Sequence, residues 1–183
     1  VTAMAGLSEG VVKPETTFEC SGELEVSSQI YRCWKTKGHG KVSMHRAMVE
    51  SCDVYFYELG LRLGADRIAK YSSLFGFGAA TGIELSNELP GLVPNSLWKQ
   101  RNYGVPIKDG DSVTISIGQG YLLATPIQMA NMAAAVANNG KVMKPYLVEK
   151  IKSSDGQLLF ENQPVQKWNA SFNSGYLELI QRA

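Results

Sequence analysis

The segment from Cys33 to Gly64, CWKTKGHGKVSMHRAMVESCDVYFYELGLRLG, constrains this chain more than any other. Between Ser43 and Glu50 the apolar residues Met44, Ala47 and Met48 recur at i, i+3 and i+4. From about Val54 to Leu63, Phe56, Leu59 and Leu63 recur at i, i+3 and i+7. Each pattern is one face of a helix aimed at a core. Ser51-Cys52-Asp53 lies between them. In a locally extended triplet the side chains alternate, so Ser51 and Asp53 share one side and Cys52 points to the other. A hydroxyl and a carboxylate are therefore expected in a cleft, with a thiol behind them. The plainer alternative is that Ser51 and Asp53 cap the helix starting near Val54, since both residue types favour N-caps.

The remaining chain suits one domain with a sizeable core: 183 residues, 44% hydrophobic and 19% charged, which excludes disorder. A formal net charge of +1 gives no electrostatic case for nucleic acid or a membrane surface. VTAMAGLSEG opens as a helical pattern without a cap and stops at Gly10, and SGYLELIQRA starts a helix near Gly175. The chain is thus expected to be an excised part of a longer protein. Residues 11–42 read as irregular, with Pro14, Gly22, Gly38 and Gly40 as punctuation. A third helix is expected over Ala65–Phe75, stopped by Gly76. Residues 81–85 read as a short extended piece, and 86–111 as a long surface loop with one helical turn near Ser96. SVTISIGQGYLLA (112–124) begins with strand-like alternation and passes into a glycine turn at Gly118 and Gly120, expected beside the cleft. Thr125, Pro126 and Gln128 mark the N-cap, N1 and capping box of a helix that Gly140 closes. Its Ala133-Ala134-Ala135 run is expected to pack. KPYLVEKI and QLLFEN flank Ser153-Ser154-Asp155-Gly156 as a hairpin. His45 is read as an ordinary helical residue.

Several blocks carry a family resemblance: VTAMAGLSEGVVKPETTF, WKTKGHGKVSMHRAMVESCDVYFYELG, FGFGAATGIEL, and SIGQGYLLATPIQMANMAAAVANNG followed by KPYLV. Together they resemble the transpeptidase domain of class B penicillin-binding proteins of the cell-elongation type. The resemblance covers residues 1 to about 150. It implies the α+β fold of penicillin-binding proteins and β-lactamases, a helical cluster on an antiparallel sheet, of which this chain would hold mostly the helical part plus a hairpin. That family works through Ser-x-x-Lys, Ser-x-Asn or Ser-x-Asp, and Lys-Thr-Gly. Ser51-Cys52-Asp53 matches the second motif, with Asp53 where Asn is more usual. The resemblance puts the first motif immediately before Val1 and the third beyond Ala183. Residues 1–183 would then be the central part of one transpeptidase domain, inactive alone, with the nucleophile at none of its positions. Ser51 is assigned proton relay between the family's lysine and the departing amine, and Asp53 orientation and charge balance.

By the same resemblance, the parent is expected to be a serine D,D-transpeptidase anchored in the bacterial inner membrane with this domain in the periplasm. Peptidoglycan stem peptides and β-lactams would be its ligands and elongation-machinery membrane proteins its partners, with no nucleic acid. The alternatives are a non-catalytic, zinc-stabilised structural or interaction module and a β-lactam-sensing receptor domain of the same fold. Cys20, Cys33, His39 and Cys52 comprise all three cysteines and one of the two histidines, separated by twelve, five and twelve residues. Thiolate and imidazole are zinc ligands, and a Cys3His tetrahedron is a closed structural site. The alternation that turns Cys52 from the cleft turns it toward the segment holding the other three. The rival is a Cys20–Cys33 disulfide with Cys52 left as a buried thiol.

Overall fold

Helix α3 (Asp53–Leu63) is the axis of the molecule, which a computed structural model describes over residues 1–183. Its buried residues Val54, Tyr55, Tyr57, Leu59, Gly60 and Leu63 span more than one face, so neighbours must cover it from several sides. Those neighbours are α1 (Thr2–Ser8), α4 (Ala65–Leu74), α6 (Asp109–Ser116) and strand β1 (Thr17–Cys20). Gly60 sets the α3–α6 approach. A Cβ placed there would sit 2.5 Å from the Ser116 Cβ, so only a residue without one lets the backbones come this close.

Residues 112–116 are therefore helix, where the sequence reads as strand. The alternation of Val113, Ile115 and Ile117 imitates a period of two. The Asp111 carboxylate, however, accepts from the Lys108 backbone N–H at 2.9 Å and caps a first helical turn. Ser112, Val113, Ile115 and Ser116 are then all buried, at the i, i+1, i+3, i+4 spacing of a helix face. Packing against α3 overrides β propensity.

Residues 11–42 are likewise more ordered than their punctuation suggests. β1 pairs antiparallel with β4 (Gly40–Ser43), and the hairpin β2 (Glu23–Val26)–β3 (Gln29–Arg32) lies between them in sequence. Ser27 and Ser28 connect that hairpin with φ of 50° and 65°. Two left-handed residues are what a twist-matched two-residue turn requires, but Asn-Gly is its usual sequence, so Ser-Ser leaves no signal. The expected long loop also contains a full helix, α5 (Ser96–Tyr103), capped by the Asn95 side chain. Residues 81–85 join no strand. There the Glu88 carboxylate organises the chain, accepting from the Thr81 N–H and hydroxyl and the Gly82 N–H.

Helix α2 (Met44–Val49) and helix α7 (Pro126–Ala137) form where the sequence puts them, and both capping-box bonds of α7 are made. Gln128 contributes more than its capping bond. Its buried amide donates to the carbonyls of Ala79 and Pro90, tying two loops to the start of α7. Of the alanine run only Ala135 is buried; Ala133 and Ala134 face solvent, so the run is not the packing stripe expected. Strands β6 (Lys150–Lys152) and β7 (Leu158–Glu161) make the expected hairpin, enclosed by an outer pair, β5 (Lys141–Met143) with β8 (Gln166–Asn169). Helix α8 (Ser174–Gln181) follows. Trp168 fastens this unit to α4 by donating its indole N–H to the Leu74 carbonyl at 2.9 Å.

In an exposed helix Gly→Ala stabilises by about 1 kcal/mol. At Gly60 the sign reverses: Gly60→Ala is expected to destabilise by roughly 1–3 kcal/mol through overpacking. Urea unfolding measures it, and a stabilised variant would contradict the close α3–α6 contact.

Candidate active site and adjoining Cys3His cluster

Helix α2 ends at Val49 with Glu50 as its C-cap, and the chain reverses through Ser51 and Cys52 to enter α3. Ser51 has φ of +51°, a left-handed conformation that costs a residue with a Cβ about 1–2 kcal/mol. Cys52 is extended, and its N–H donates to the Ala47 carbonyl at 2.8 Å, closing the turn. Cys52 is fully buried, Ser51 exposed and Asp53 half-buried. The division expected from alternation is thus realised. No side chain caps α3 by a hydrogen bond, so capping does not account for Ser51 and Asp53.

Ser51 and Asp53 both line a cavity of about 460 Å³ whose walls include Met48, Phe56, Ile117 and Met129. Gly118, the first glycine of the expected turn, borders it as well. Asp53 occupies the first position of α3, where the helix dipole favours a carboxylate, and accepts from the Trp34 backbone N–H at 3.0 Å. A mostly apolar cavity with the Ser51 hydroxyl and the oriented Asp53 carboxylate among its few polar groups suits substrate recognition and proton movement.

A second constellation lies behind the triplet. The nested strands bring Cys20 from the end of β1, Cys33 from just beyond β3 and His39 from just before β4 onto Cys52. All four are buried, and their ligand atoms lie within 4.8 Å of one another. His39 Nδ1 is 3.5 Å from the sulfurs of both Cys20 and Cys33. Gly38, with φ of +74°, makes this possible, because a Cβ there would collide with the backbone of Cys20 and Ser21. His39 Nε2 is buried with no hydrogen-bond partner, and the nearest carboxylate oxygen, on Glu50, is 3.8 Å away. That is too far for a hydrogen bond. Arg46, bonded to Glu50 at 2.5 Å, holds the Glu50 carboxyl below the usual carboxylate range.

The three cysteines are free thiols. Burial pushes the Cys52 thiol up to about 12, against the Tyr55 backbone N–H that pulls it down. Three thiols and an imidazole packed this closely form a poor apolar core, since buried polar groups are normally well satisfied. One divalent cation would ionise the sulfurs and take up Nδ1. The donor set and its closure fit such an ion.

The chain also contains one Ser-x-x-Lys sequence, Ser96-Leu97-Trp98-Lys99, which pattern reading did not register. The structure keeps it out of the cleft. Ser96 Oγ donates to Asp66 at 2.7 Å. Lys99, 7% exposed, donates to Asp111 at 3.2 Å and to the Tyr121 hydroxyl at 2.9 Å. Neither residue lines the cavity that holds Ser51. Trp34 is the site neighbour that sequence reasoning missed. No motif signals it, because its indole and backbone N–H groups bond to acceptors sixteen to nineteen residues away in the chain.

A helical bundle around α3 with Ser-x-Asp at an apolar cleft defines a transpeptidase-type domain. The family described as penicillin binding protein transpeptidase domain matches residues 1–183, and the chain belongs to it. Among curated relatives, peptidoglycan D,D-transpeptidase MrdA of Salmonella typhimurium is 43% identical over 148 residues, 80% of this chain and 24% of that protein. MrdA of Escherichia coli K12 is 37% identical over 179 residues, 97% of this chain and 28% of that protein. The chain therefore spans about a quarter of the length of these relatives. Among solved structures, Pseudomonas aeruginosa PBP2 in complex with WCK 5153 is similar with a TM-score of 0.86 at 34% identity, covering 99% of this chain and 41% of that one. Helicobacter pylori PBP2 in complex with MreC gives 0.83 at 31% identity, covering 98% and 32%.

Gly38→Ala is expected to destabilise by roughly 1–3 kcal/mol, since Ala is strained at positive φ and the added carbon meets backbone. Thiol titration in native conditions should follow suit, with buried cysteines becoming reactive in the variant and not in the parent. Equal, slow reactivity in both would place the close approach at Gly38 in error.

Proposed function

We propose that this chain is the central part of the catalytic domain of a serine D,D-transpeptidase that cross-links peptidoglycan during cell-wall elongation. The observation that carries the reading is the division of Ser51-Cys52-Asp53: two polar groups at the edge of an apolar cleft, and a thiol anchored behind, in a chain of this family. The reaction is acyl transfer from a peptide ending in D-Ala-D-Ala to an amine of a neighbouring stem peptide. A serine hydroxyl is a weak nucleophile and needs an adjacent base, supplied in this family by the lysine of Ser-x-x-Lys. Ser51 relays the proton between that lysine and the departing amine. Asp53, already oriented by the Trp34 N–H, accepts from the ammonium or from a substrate amide. β-Lactams are read as acylating the same nucleophile.

We place the parent in the inner membrane with this domain in the periplasm. No helix of this chain is long and apolar enough to cross a membrane, so the anchor would be supplied elsewhere. Membrane proteins of the elongation machinery are the proposed partners, a reading supported by the MreC complex of the similar Helicobacter pylori protein.

Cys20, Cys33, His39 and Cys52 are proposed as ligands of one structural zinc ion, His39 through Nδ1. When bound, the ion supplies cross-linking and charge balance and takes no part in acyl transfer. Protein purified without chelator should hold about one zinc per chain, and chelation should lower its melting temperature. Because protons compete with the metal for thiolates, the stabilisation from zinc is present at neutral pH and lost on acidification. Metal-free protein with a Cys20–Cys33 bond in non-reducing peptide mapping would end the zinc assignment.

In the intact enzyme, Ser51→Ala should slow acylation by fluorescent penicillin on the order of 10²–10⁴-fold with little change in melting temperature. Acylation within about twofold of the parent would remove Ser51 from the proton path. The isolated chain should form no penicillin adduct. An adduct mapped to Ser96 would instead make Ser96–Lys99 the nucleophile motif.

A further inference from the structure

Trp34 is 64% exposed, an unusual place for the largest side chain, yet every donor it owns is engaged. Its backbone N–H donates to Asp53 Oδ2 at 3.0 Å. Its indole N–H is shared between the carbonyls of Glu50, at 3.0 Å, and Ser51, at 2.9 Å. Those carbonyls lie at the C-terminal end of α2, where helix geometry leaves the acceptors without partners. The ring also stands edge-on to His39, with centroids 5.4 Å apart. Trp34 follows Cys33 directly in the chain, so the Cys3His cluster anchors its backbone.

We propose that Trp34 is a positioning residue for the acyl-transfer site, fastening Ser51 and Asp53 through its two N–H groups; this rests on the assignment of Ser51 to proton relay. Three constraints act on the triplet. Cys52 holds the middle from inside, in the buried cluster. The indole holds the Ser51 peptide group from outside. The Trp34 main chain fixes the Asp53 carboxylate. Ser51 is left-handed without being glycine, so its turn lies away from the backbone's preferred regions and needs external contacts to persist. With the Ser51 carbonyl fixed, χ1 is the one freedom left to its hydroxyl. Without the indole N–H, water takes over both exposed carbonyls. The fold is then little affected, but the peptide plane carrying Ser51 is free to turn. A proton relay depends on sub-ångström placement, so the consequence falls on rate rather than on stability.

The test uses the full-length enzyme and fluorescent penicillin, separating the noncovalent dissociation constant from the first-order acylation rate. Two variants remove the indole donor: Trp34→Phe, and replacement of the Trp34 indole by benzothiophene, which keeps the shape and deletes only the N–H. Both are expected to acylate about tenfold more slowly, equivalent to ~1.4 kcal/mol, with a dissociation constant within twofold and unchanged melting temperature and metal content. Should Phe perturb folding, the benzothiophene variant decides. Acylation within twofold of the parent overturns the proposal, as does a slowing that comes with equal losses of melting temperature and metal, because that is a structural role. Ser51→Ala in the same assay separates the two readings. If it is silent, the relay assignment falls; if it is slow while the indole variants are silent, only the role of Trp34 falls.

Discussion

The burial of Cys52 between two helices is the constraint on which the rest of the structure depends. A two-residue reversal from α2 into α3 leaves no slack, so the direction of Cys52 dictates that of its neighbours. With Cys52 inside and its N–H on the Ala47 carbonyl, Ser51 and Asp53 face the cleft, and Ser51 must adopt a left-handed backbone. The cost of that conformation is small beside what α3 buries. Val54, Tyr55, Leu59 and Leu63 are each at most 5% exposed, and burying such side chains is worth about 1.5–3 kcal/mol apiece. The hydrophobic core thus holds the Ser51 turn in a strained geometry that the turn would not choose alone.

Polar groups in this molecule divide into satisfied and unsatisfied, and the division separates scaffold from function. Gln128, Glu88 and Lys99 each fasten loops around the cleft, and each has its hydrogen bonds made. Hydrogen bonding by Tyr121 raises the Lys99 pKa and so favours its ammonium form. Its aromatic neighbours Tyr103 and Tyr121, 5.0 and 4.1 Å from Nζ, strengthen the same preference. By contrast the Cys3His cluster holds high-pKa thiol and an unpartnered ring nitrogen.

The two constellations share a chain segment. Cys33 and Trp34 are adjacent, as are Ser51, Cys52 and Asp53, so each segment sends one residue into the cluster and another toward the cleft. Metal-type donors and catalytic-type donors are thereby mechanically coupled across a single backbone layer. The β2–β3 hairpin is tied to α3 by Val26 in the core and by Tyr57, whose hydroxyl donates to the Arg32 carbonyl.

Helical period, capping residues and alternation were enough to determine α1, α2, α3, α4 and α7, the hairpin at 150–161, and the opposite facing of Ser51 and Cys52. These are local properties, set by which side chains an element must bury within a few residues. The four ligand-type residues were visible by type and count, and alternation gave the direction of Cys52, while the meeting of Cys20, Cys33 and His39 came from strand pairing. What the tertiary structure alone decided depends on distant partners. The alternating Val113, Ile115 and Ile117 became helix because Gly60, more than fifty residues earlier in the chain, offers a groove for Ser112 and Ser116. The strands of 17–43 arose from backbone pairing that side-chain pattern does not encode, and their Ser27-Ser28 turn carries none of the usual residues. Ser96–Lys99 looks catalytic in one dimension, and only in three does Lys99 prove to be a tether. Trp34 reaches the triplet through its main-chain N–H on Asp53 and its indole N–H on the Ser51 carbonyl, contacts across seventeen or more residues that no local sequence pattern announces.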